Sequence, residues 1–199
     1  MEKSNIDEKI KLLTGNGMWH TQEVEGLPSV HLSDGPHGLR KQEEKERQNN
    51  VSLVSTCYPT ASALACSWDV TAAERLGRAV AKEAWNADVA VLLGPGINMK
   101  RSPLCGRNFE YFSEDPFLAG RLGAAYVSAA QGENVAVSLK HFAANNQETN
   151  RQTSNSQIDE RALREIYLSA FEYVVKTARP ATVMASYNRL NGYYACENR

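Results

Sequence analysis

The stretch VAVSLKHF, residues 135–142, decides the fold. It is an apolar run of strand length that ends in Lys140, His141 and an aromatic residue, and the polar loop after it closes on Arg151. Charged side chains at the carboxyl end of a buried strand are costly unless they are paired or solvated. Two interpretations of Lys140 and His141 are therefore open at this point: they belong to a site, or they are the end of a strand that reaches water.

Similar apolar runs recur along the chain and alternate with helical patterns. Further strands are predicted at residues 30–32, 60–67, 89–93 and 181–187. Helices are predicted to begin near residues 5, 70, 115 and 159. The first of them has Ile6, Ile10 and Leu13 on one face and ends at Gly15. A repeat of strand and helix predicts an α/β fold with parallel strands joined by crossovers.

Each polar cluster that could form a site follows a predicted strand, and the residues concerned are Asp34, Arg107, Lys140, His141 and Tyr187. In a (β/α)8 TIM-type barrel, functional groups lie on loops at the carboxyl ends of the strands. Doubly wound sheets also bind ligands at strand ends, but mainly at the switch point. No G-x-G-x-x-G motif follows the first strand, which weighs against a nucleotide-binding fold. We expect an incomplete (β/α)8 barrel of about five β/α units.

Composition argues against several classes of partner. The chain has 199 residues, 42% of them hydrophobic, and a formal net charge of −1. This suffices for one sizeable core and gives no electrostatic reason to expect nucleic acid or an anionic membrane. No apolar run approaches the roughly 20 residues of a membrane helix. The charged N-terminus lacks the apolar core of a signal peptide, so a cytoplasmic location is expected by default.

The spacing of cysteine and histidine indicates no metal site. The four cysteines are scattered, so reduced thiols are expected rather than disulfides or zinc ligands. His20, His31 and His37 have no spacing to a metal partner, and no metal or other cofactor is expected.

Residues 41–55 are assigned to a charged and flexible insert, because 41–50 is rich in charge and has no apolar face.

The candidate site residues suit a polyhydroxylated ligand, and they are Asp34, Arg107, Lys140, His141, Arg151, Met184 and Tyr187. A carboxylate such as that of Asp34 accepts hydrogen bonds from two neighbouring hydroxyls, while arginine and lysine donate to others. The alternative for Asp34 is an Asx turn in which it satisfies only its own backbone. Apolar walls would come from Met184 and three aromatic residues, Trp19, Phe109 and Phe142. For Met184 and Phe142 a core position is the stronger alternative.

Glu110 and Glu114 lie four residues apart beside Arg107. They could form a pair of catalytic carboxylates. The favoured interpretation is that they brace the loop by pairing with arginines.

Four motifs follow one another along the chain: SDGPHGLR at 33–40, GRNFEYFSEDP at 106–116, KHFAANNQETNR at 140–151 and MASYN at 184–188. Together they resemble glycoside hydrolase family 3, in its β-glucosidase branch. The likeness covers nearly the whole chain, and the insert that starts at Lys41 has no obvious counterpart. The loop AANNQE after Lys-His-Phe differs from the glycine- and histidine-rich loop of the hexosaminidase branch of that family.

The resemblance implies a (β/α)-barrel domain and retaining hydrolysis of terminal non-reducing β-linked sugars, such as β-glucosides. Residues 1–199 would be the N-terminal part of a longer enzyme. The resemblance assigns contacts with the terminal sugar to Asp34, Arg107, Lys140 and His141. Arg151 would be a pocket or supporting arginine, Tyr187 would lie near the nucleophile, and Met184 would form a wall.

The two catalytic carboxylates would lie outside this chain. Retaining hydrolysis needs a nucleophile and an acid/base about 5 Å apart. The resemblance places the nucleophile after a later strand and the acid/base in a later domain, both beyond Arg199. The chain alone is therefore expected to be inactive and to need the C-terminal part of the enzyme as its partner. Two alternatives are a non-catalytic sugar-binding or assembly subunit that joins a complementary chain, and a truncation with no function of its own.

Overall fold

The computed structural model describes residues 6–35, 37–42 and 51–198. Its strands are β1 (Gly15–Asn16), β2 (His20–Thr21), β3 (Leu32–Asp34), β4 (Val91–Leu93), β5 (Ala136–Phe142), β6 (Asn155–Ser156), β7 (Thr182–Ala185), β8 (Arg189–Leu190) and β9 (Tyr193–Tyr194). Its helices are α1 (Ile6–Leu12), α2 (Ala61–Ala65), α3 (Val70–Asn86), α4 (Pro116–Gln131), α5 (Glu160–Ala162) and α6 (Ser169–Ala178). A 3-10 turn covers Asn108–Glu110 and a π-helical turn covers Leu163–Tyr167. Most of the predicted charged insert lies outside the described residues.

The main sheet has four parallel strands in the order β3-β4-β5-β7, so each strand pairs with the next parallel strand along the chain. In this register Ser33 lies opposite Leu92, and Leu92 lies opposite Val137. Right-handed crossovers that always step in one direction place their helices on one face of the sheet. In agreement, α3 packs on α4 and α4 packs on α6. The predicted α/β fold with a parallel sheet is confirmed.

The core lies between the sheet and this helix layer. Val137 and Leu139 of β5 are completely buried, as are Val80 of α3 and Leu122 of α4. Helices α3 and α4 meet backbone to backbone at Gly77, where a Cβ atom would lie 2.5 Å from the carbonyl oxygen of Tyr126. Any other residue at this position would force the two helices apart.

The helix starts follow the capping residues in the sequence. The Asp69 side chain accepts a hydrogen bond from the backbone N–H of Thr71 at the start of α3. Asp115 accepts from two backbone N–H groups at the start of α4, where Pro116 occupies the first turn. Asp159 caps α5 in the same way. The predicted helices after residues 69, 115 and 159 are therefore confirmed.

The predicted strand at residues 60–67 is wrong, because Ala61–Ala65 is a short helix. The Thr60 hydroxyl accepts a hydrogen bond from the backbone N–H of Ala63 at 3.3 Å and caps this helix. Alanine and leucine favour helix, and residues 61–67 contain none of the β-branched residues that stabilise strands. Within the described residues the main sheet therefore has four parallel strands, not five.

The predicted first helix exists as α1, but its apolar residues Ile6 and Ile10 are exposed. It ends at Leu12, and Gly15 already belongs to β1. The predicted cap at Ser4 or Asn5 lies outside the described residues. No helix in the described ranges is long and apolar enough to cross a membrane.

Candidate functional site

Lys140 brings two carboxylates together at the carboxyl end of the sheet. Its Nζ atom lies 2.8 Å from Asp34 Oδ1 and 3.2 Å from Glu110 Oε2. Only 2% of the Lys140 side chain is exposed. An ammonium group that is buried so deeply needs this compensation. The interpretation of Lys140 as a solvated strand end is therefore wrong. The Asx-turn interpretation of Asp34 is also wrong, because the Asp34 carboxylate accepts a hydrogen bond from Lys140.

Glu110 also pairs with Arg107, whose Nε atom donates a hydrogen bond to Glu110 Oε1. Burial lowers the pKa of the Arg107 guanidinium, but the Glu110 carboxylate outweighs this effect and holds the pKa above its ordinary value. Glu110 thus bridges two cations from inside the protein. The bracing role predicted for Glu110 is confirmed, whereas Glu114 instead accepts a hydrogen bond from Ser113 at 3.4 Å.

His141 is held by its backbone and by its ring. Its backbone N–H donates to Asn98 Oδ1 at 2.7 Å, and its carbonyl accepts from Asn98 Nδ2 at 2.9 Å. The Tyr111 hydroxyl lies 2.9 Å from Nδ1 of the ring. His141 is only 3% exposed, so it is not a solvated strand end either. Burial lowers its pKa to about 2, helped by the nearby positive charge of Arg107, and the imidazole is neutral at neutral pH.

The hydrogen bonds continue from Tyr111 to the loop after β5. Asn145 Nδ2 donates to the Tyr111 hydroxyl at 3.0 Å and to Glu148 Oε1 at 2.9 Å. Arg151 donates to Glu148 Oε2 at 2.8 Å. The guanidinium carbon of Arg151 lies 4.8 Å from the centre of the Tyr187 ring, a cation–π distance. One connected network therefore joins His141 to Arg151 and Tyr187.

Direct contacts thus place six of the seven candidate site residues in two adjoining networks. The seventh, Met184, lies opposite Lys140 in the pairing of β5 with β7 and is partly buried. Among the proposed aromatic walls, Phe109 belongs to this region, because it lines the same cavity as Asp34. Trp19 instead donates a hydrogen bond to Gln42 at 3.0 Å.

Phe142 points away from the charged residues. Its ring packs edge-to-face on Phe171 of α6, with ring centres 5.2 Å apart, and 38% of the residue is exposed. The structure therefore puts Phe142 against the helix layer instead of in the wall of the charged cavity. The pairing of β5 with β7 is irregular here: its register shifts between Lys140 and Phe142, which interrupts the regular alternation of side chains at this end of the strand.

A cavity of about 330 Å³ lies beside the charged residues, lined among others by Asp34, Arg40, Arg107 and Phe109. Its size is at the lower end of the range for small-molecule sites. The Asp34 carboxylate uses Oδ1 for Lys140 and keeps further acceptor capacity, because 30% of its side chain is exposed. A fixed carboxylate beside fixed cationic donors can bind neighbouring hydroxyl groups of a polar ligand.

Sequence reasoning missed three residues that hold the site, namely Asn98, Tyr111 and Asn145. Each contacts a residue that is distant along the chain or lies in another loop, so local patterns gave no indication of the contact. Arg40, which belongs to the SDGPHGLR motif, also lines the cavity. In the described part of the chain, no cluster of three or more His, Cys, Asp or Glu side chains could hold a metal ion.

The model of the glycosyl hydrolase family 3 N-terminal domain matches residues 36–199. The chain belongs to glycoside hydrolase family 3. It is 52% identical over 203 residues to thermostable β-glucosidase B of Acetivibrio thermocellus, and the match covers 100% of this chain and 27% of that protein. It is 49% identical over 198 residues to an exo-α-(1→6)-L-arabinopyranosidase of Bifidobacterium longum, covering 97% of this chain and 26% of that enzyme.

Solved family 3 structures share the fold. The β-glucosidase of Kluyveromyces marxianus in complex with glucose superposes with a TM-score of 0.90 at 44% identity, over 96% of this chain and 23% of that one. β-Glucosidase 3B of Thermotoga neapolitana in complex with glucose gives a TM-score of 0.88 at 40% identity, over 96% and 29%. This family 3 chain therefore spans about a quarter of the length of its relatives.

Proposed function

We propose that this chain forms the sugar-binding part of a longer β-glucosidase-like enzyme that hydrolyses terminal non-reducing β-linked sugars with retention. The observation that carries this proposal is the ion-paired group of Asp34, Lys140, Glu110 and Arg107 beside a cavity. The β-glucosidases among the relatives support the assignment of the substrate class.

In this proposal the terminal sugar lies against the carboxyl end of the sheet. Asp34 accepts hydrogen bonds from neighbouring sugar hydroxyls, because Lys140 occupies only one of its oxygens. Arg107, Lys140 and His141 donate hydrogen bonds to the same sugar. Arg151 stacks on Tyr187 and supports the wall of the pocket near the nucleophile.

The chemical step needs two carboxylates that flank the scissile bond. We propose that both come from parts of the enzyme outside residues 1–199. We also propose that the four parallel strands are the first part of a (β/α)8 barrel, because their order advances in one direction without reversal. Later β/α units would then pair with β7 and bring the nucleophile to the end of the sheet where Asp34 lies.

The test uses the protein as its gene encodes it and, separately, the 199-residue chain. Hydrolysis of an aryl β-glucoside and an aryl α-L-arabinopyranoside is measured, and NMR identifies the anomer released first. We expect turnover with retention by the gene product and none by the 199-residue chain. Turnover by the 199-residue chain would contradict the assignment of the catalytic carboxylates. Binding of glucose without turnover by the gene product would support the alternative of a sugar-binding subunit.

Asp34→Asn tests the contact with the sugar. The variant keeps the shape of the side chain but loses its charge, and we expect kcat/KM to fall about 10- to 100-fold, since a hydrogen bond to a charged group contributes about 1.5–3 kcal/mol. KM should rise and kcat should fall, because contacts with sugar hydroxyls tighten in the transition state. Glu74→Gln, on the exposed face of α3, is the matched control. Unchanged kinetics of Asp34→Asn would remove Asp34 from the site.

A further inference from the structure

The hydrogen bonds that end at His141 have a fixed direction, which the Glu148 carboxylate sets. A carboxylate only accepts hydrogen bonds, so the atom of Asn145 that lies 2.9 Å from Glu148 Oε1 must be its amide nitrogen. Arg151 donates to the other oxygen at 2.8 Å and holds the carboxylate in place. The orientation of the Asn145 amide follows from these two contacts.

The Tyr111 hydroxyl passes this direction on to His141. Because Asn145 Nδ2 donates to the Tyr111 oxygen at 3.0 Å, the Tyr111 hydrogen must point elsewhere. Among the described residues, the only other hydrogen-bond partner of this hydroxyl is His141 Nδ1, at 2.9 Å. Burial raises the pKa of Tyr111 above its ordinary value, so the phenol keeps its proton.

His141 Nδ1 is then an acceptor and carries no proton. The imidazole is neutral, because burial and the charges of Arg107, Lys140 and Arg151 disfavour the imidazolium form. A neutral imidazole whose Nδ1 accepts must carry its single proton on Nε2. The ring of Tyr111 cannot turn aside easily, since it packs against Gly96, where a Cβ atom would lie 2.8 Å from the ring.

We propose that Tyr111 is a positioning residue that fixes His141 as the Nε2–H tautomer, so that Nε2–H donates to a hydroxyl oxygen of the bound sugar. The sugar contact rests on the proposed function, whereas the tautomer does not. The donor chain runs from Asn145 through Tyr111 to His141, and Glu148 fixes its starting point. Removal of the Tyr111 hydroxyl frees Nδ1 to take the proton and deprives the sugar of its donor.

Neutron diffraction from deuterium-exchanged crystals of the protein as its gene encodes it reads the tautomer directly. We expect deuterium on Nε2 of His141 and none on Nδ1. Deuterium on Nδ1 would overturn the proposal, whether or not the protein hydrolyses any glycoside. A lack of glycoside hydrolysis by the unsubstituted gene product would contradict the proposed function but would leave the neutron result standing.

Two variants test the role of Tyr111. Tyr111→Phe should leave deuterium divided between the two ring nitrogens and lower kcat/KM for an aryl β-glucoside about tenfold, mainly through KM. Asn145→Asp reverses the chain: the new carboxyl group and Glu148 share one proton in their mutual contact, so the aspartate oxygen accepts the Tyr111 hydrogen and deuterium should move to Nδ1. The Asn145→Asp result decides the proposal if Tyr111→Phe does not fold.

Tyr126→Phe is the matched control. Tyr126 is also fully buried, but its hydroxyl forms no hydrogen bond within the described part of the chain. The same chemical change should therefore leave both the tautomer and the kinetics as they are. If Tyr111→Phe and Tyr126→Phe both retain the Nε2–H tautomer and the native kinetics, Tyr111 has no positioning role.

Discussion

The carboxyl end of strand β5 borders two contrasting regions: the charged site at Lys140 and His141, and the apolar groove that begins at Phe142. Lys140 and His141 are polar and buried, while Phe142 is apolar and 38% exposed. The groove has a volume of about 540 Å³ and is lined by Phe142, Arg164, Leu168, Phe171, Glu172, Val175 and Val183. Burial here follows the partners that the chain supplies, not the polarity of the side chain. The site has its ion pairs within the described residues, whereas Val175 and Val183 in the groove are each 45% exposed.

Glu110→Gln should break the charged site and produce the largest effect. The substitution removes the ion-pair partner of the partly buried Arg107 and leaves Lys140 with Asp34 alone, so we expect the free energy of unfolding to fall by about 3 kcal/mol. Urea denaturation measures the change. Glu165→Gln is the control, because its ion pair with Arg161 is exposed, and its midpoint should equal that of the wild type. Equal midpoints for both variants would show that the buried charges are not coupled.

The next largest effect should be a dependence of stability on pH, caused by the buried imidazole of His141. The folded pKa of His141 is about 2 and its ordinary value is 6.5, so between these values the unfolded chain binds a proton that the folded chain does not. Stability should therefore fall as the pH falls below about 6.5, by about 1.4 kcal/mol for each pH unit. His141→Gln lacks this contribution, and its profile of denaturation midpoint against pH should be flatter. Parallel profiles for the two proteins would be inconsistent with a buried neutral imidazole.

Val183→Thr should give the smallest effect and sharpen the contrast at the apolar groove. In the 199-residue chain, Val183 is 45% exposed, so the added hydroxyl should change the free energy of unfolding by less than about 0.5 kcal/mol. If later parts of a longer enzyme cover the groove, the same substitution in the gene product should cost about 1–2 kcal/mol. A small effect in both proteins would mean that this face stays open to solvent.

The sequence predicts β5 and its neighbours β4 and β7 well, because long apolar runs have few alternatives. The predicted strand at residues 60–67 is wrong, because small residues fit either a strand or a helix and the cap at Thr60 favours the helix. The sequence identifies Lys140 and His141 as candidates but leaves their burial open, since burial depends on Glu110 and Asp34 from other loops. The neutral state of His141 is still harder to predict from the sequence, because it depends on charges and contacts that only the folded chain brings together.

Asn98 has a consequence for how this site can change in evolution. Its side-chain amide forms the same paired hydrogen bonds with the backbone of His141 that a neighbouring strand would form, beyond the point where β4 ends at Leu93. Bonds between two backbones survive almost any substitution, whereas this pair disappears with a single substitution at position 98. Residue 98 can therefore alter the path of the chain at His141 while the sheet itself keeps its register.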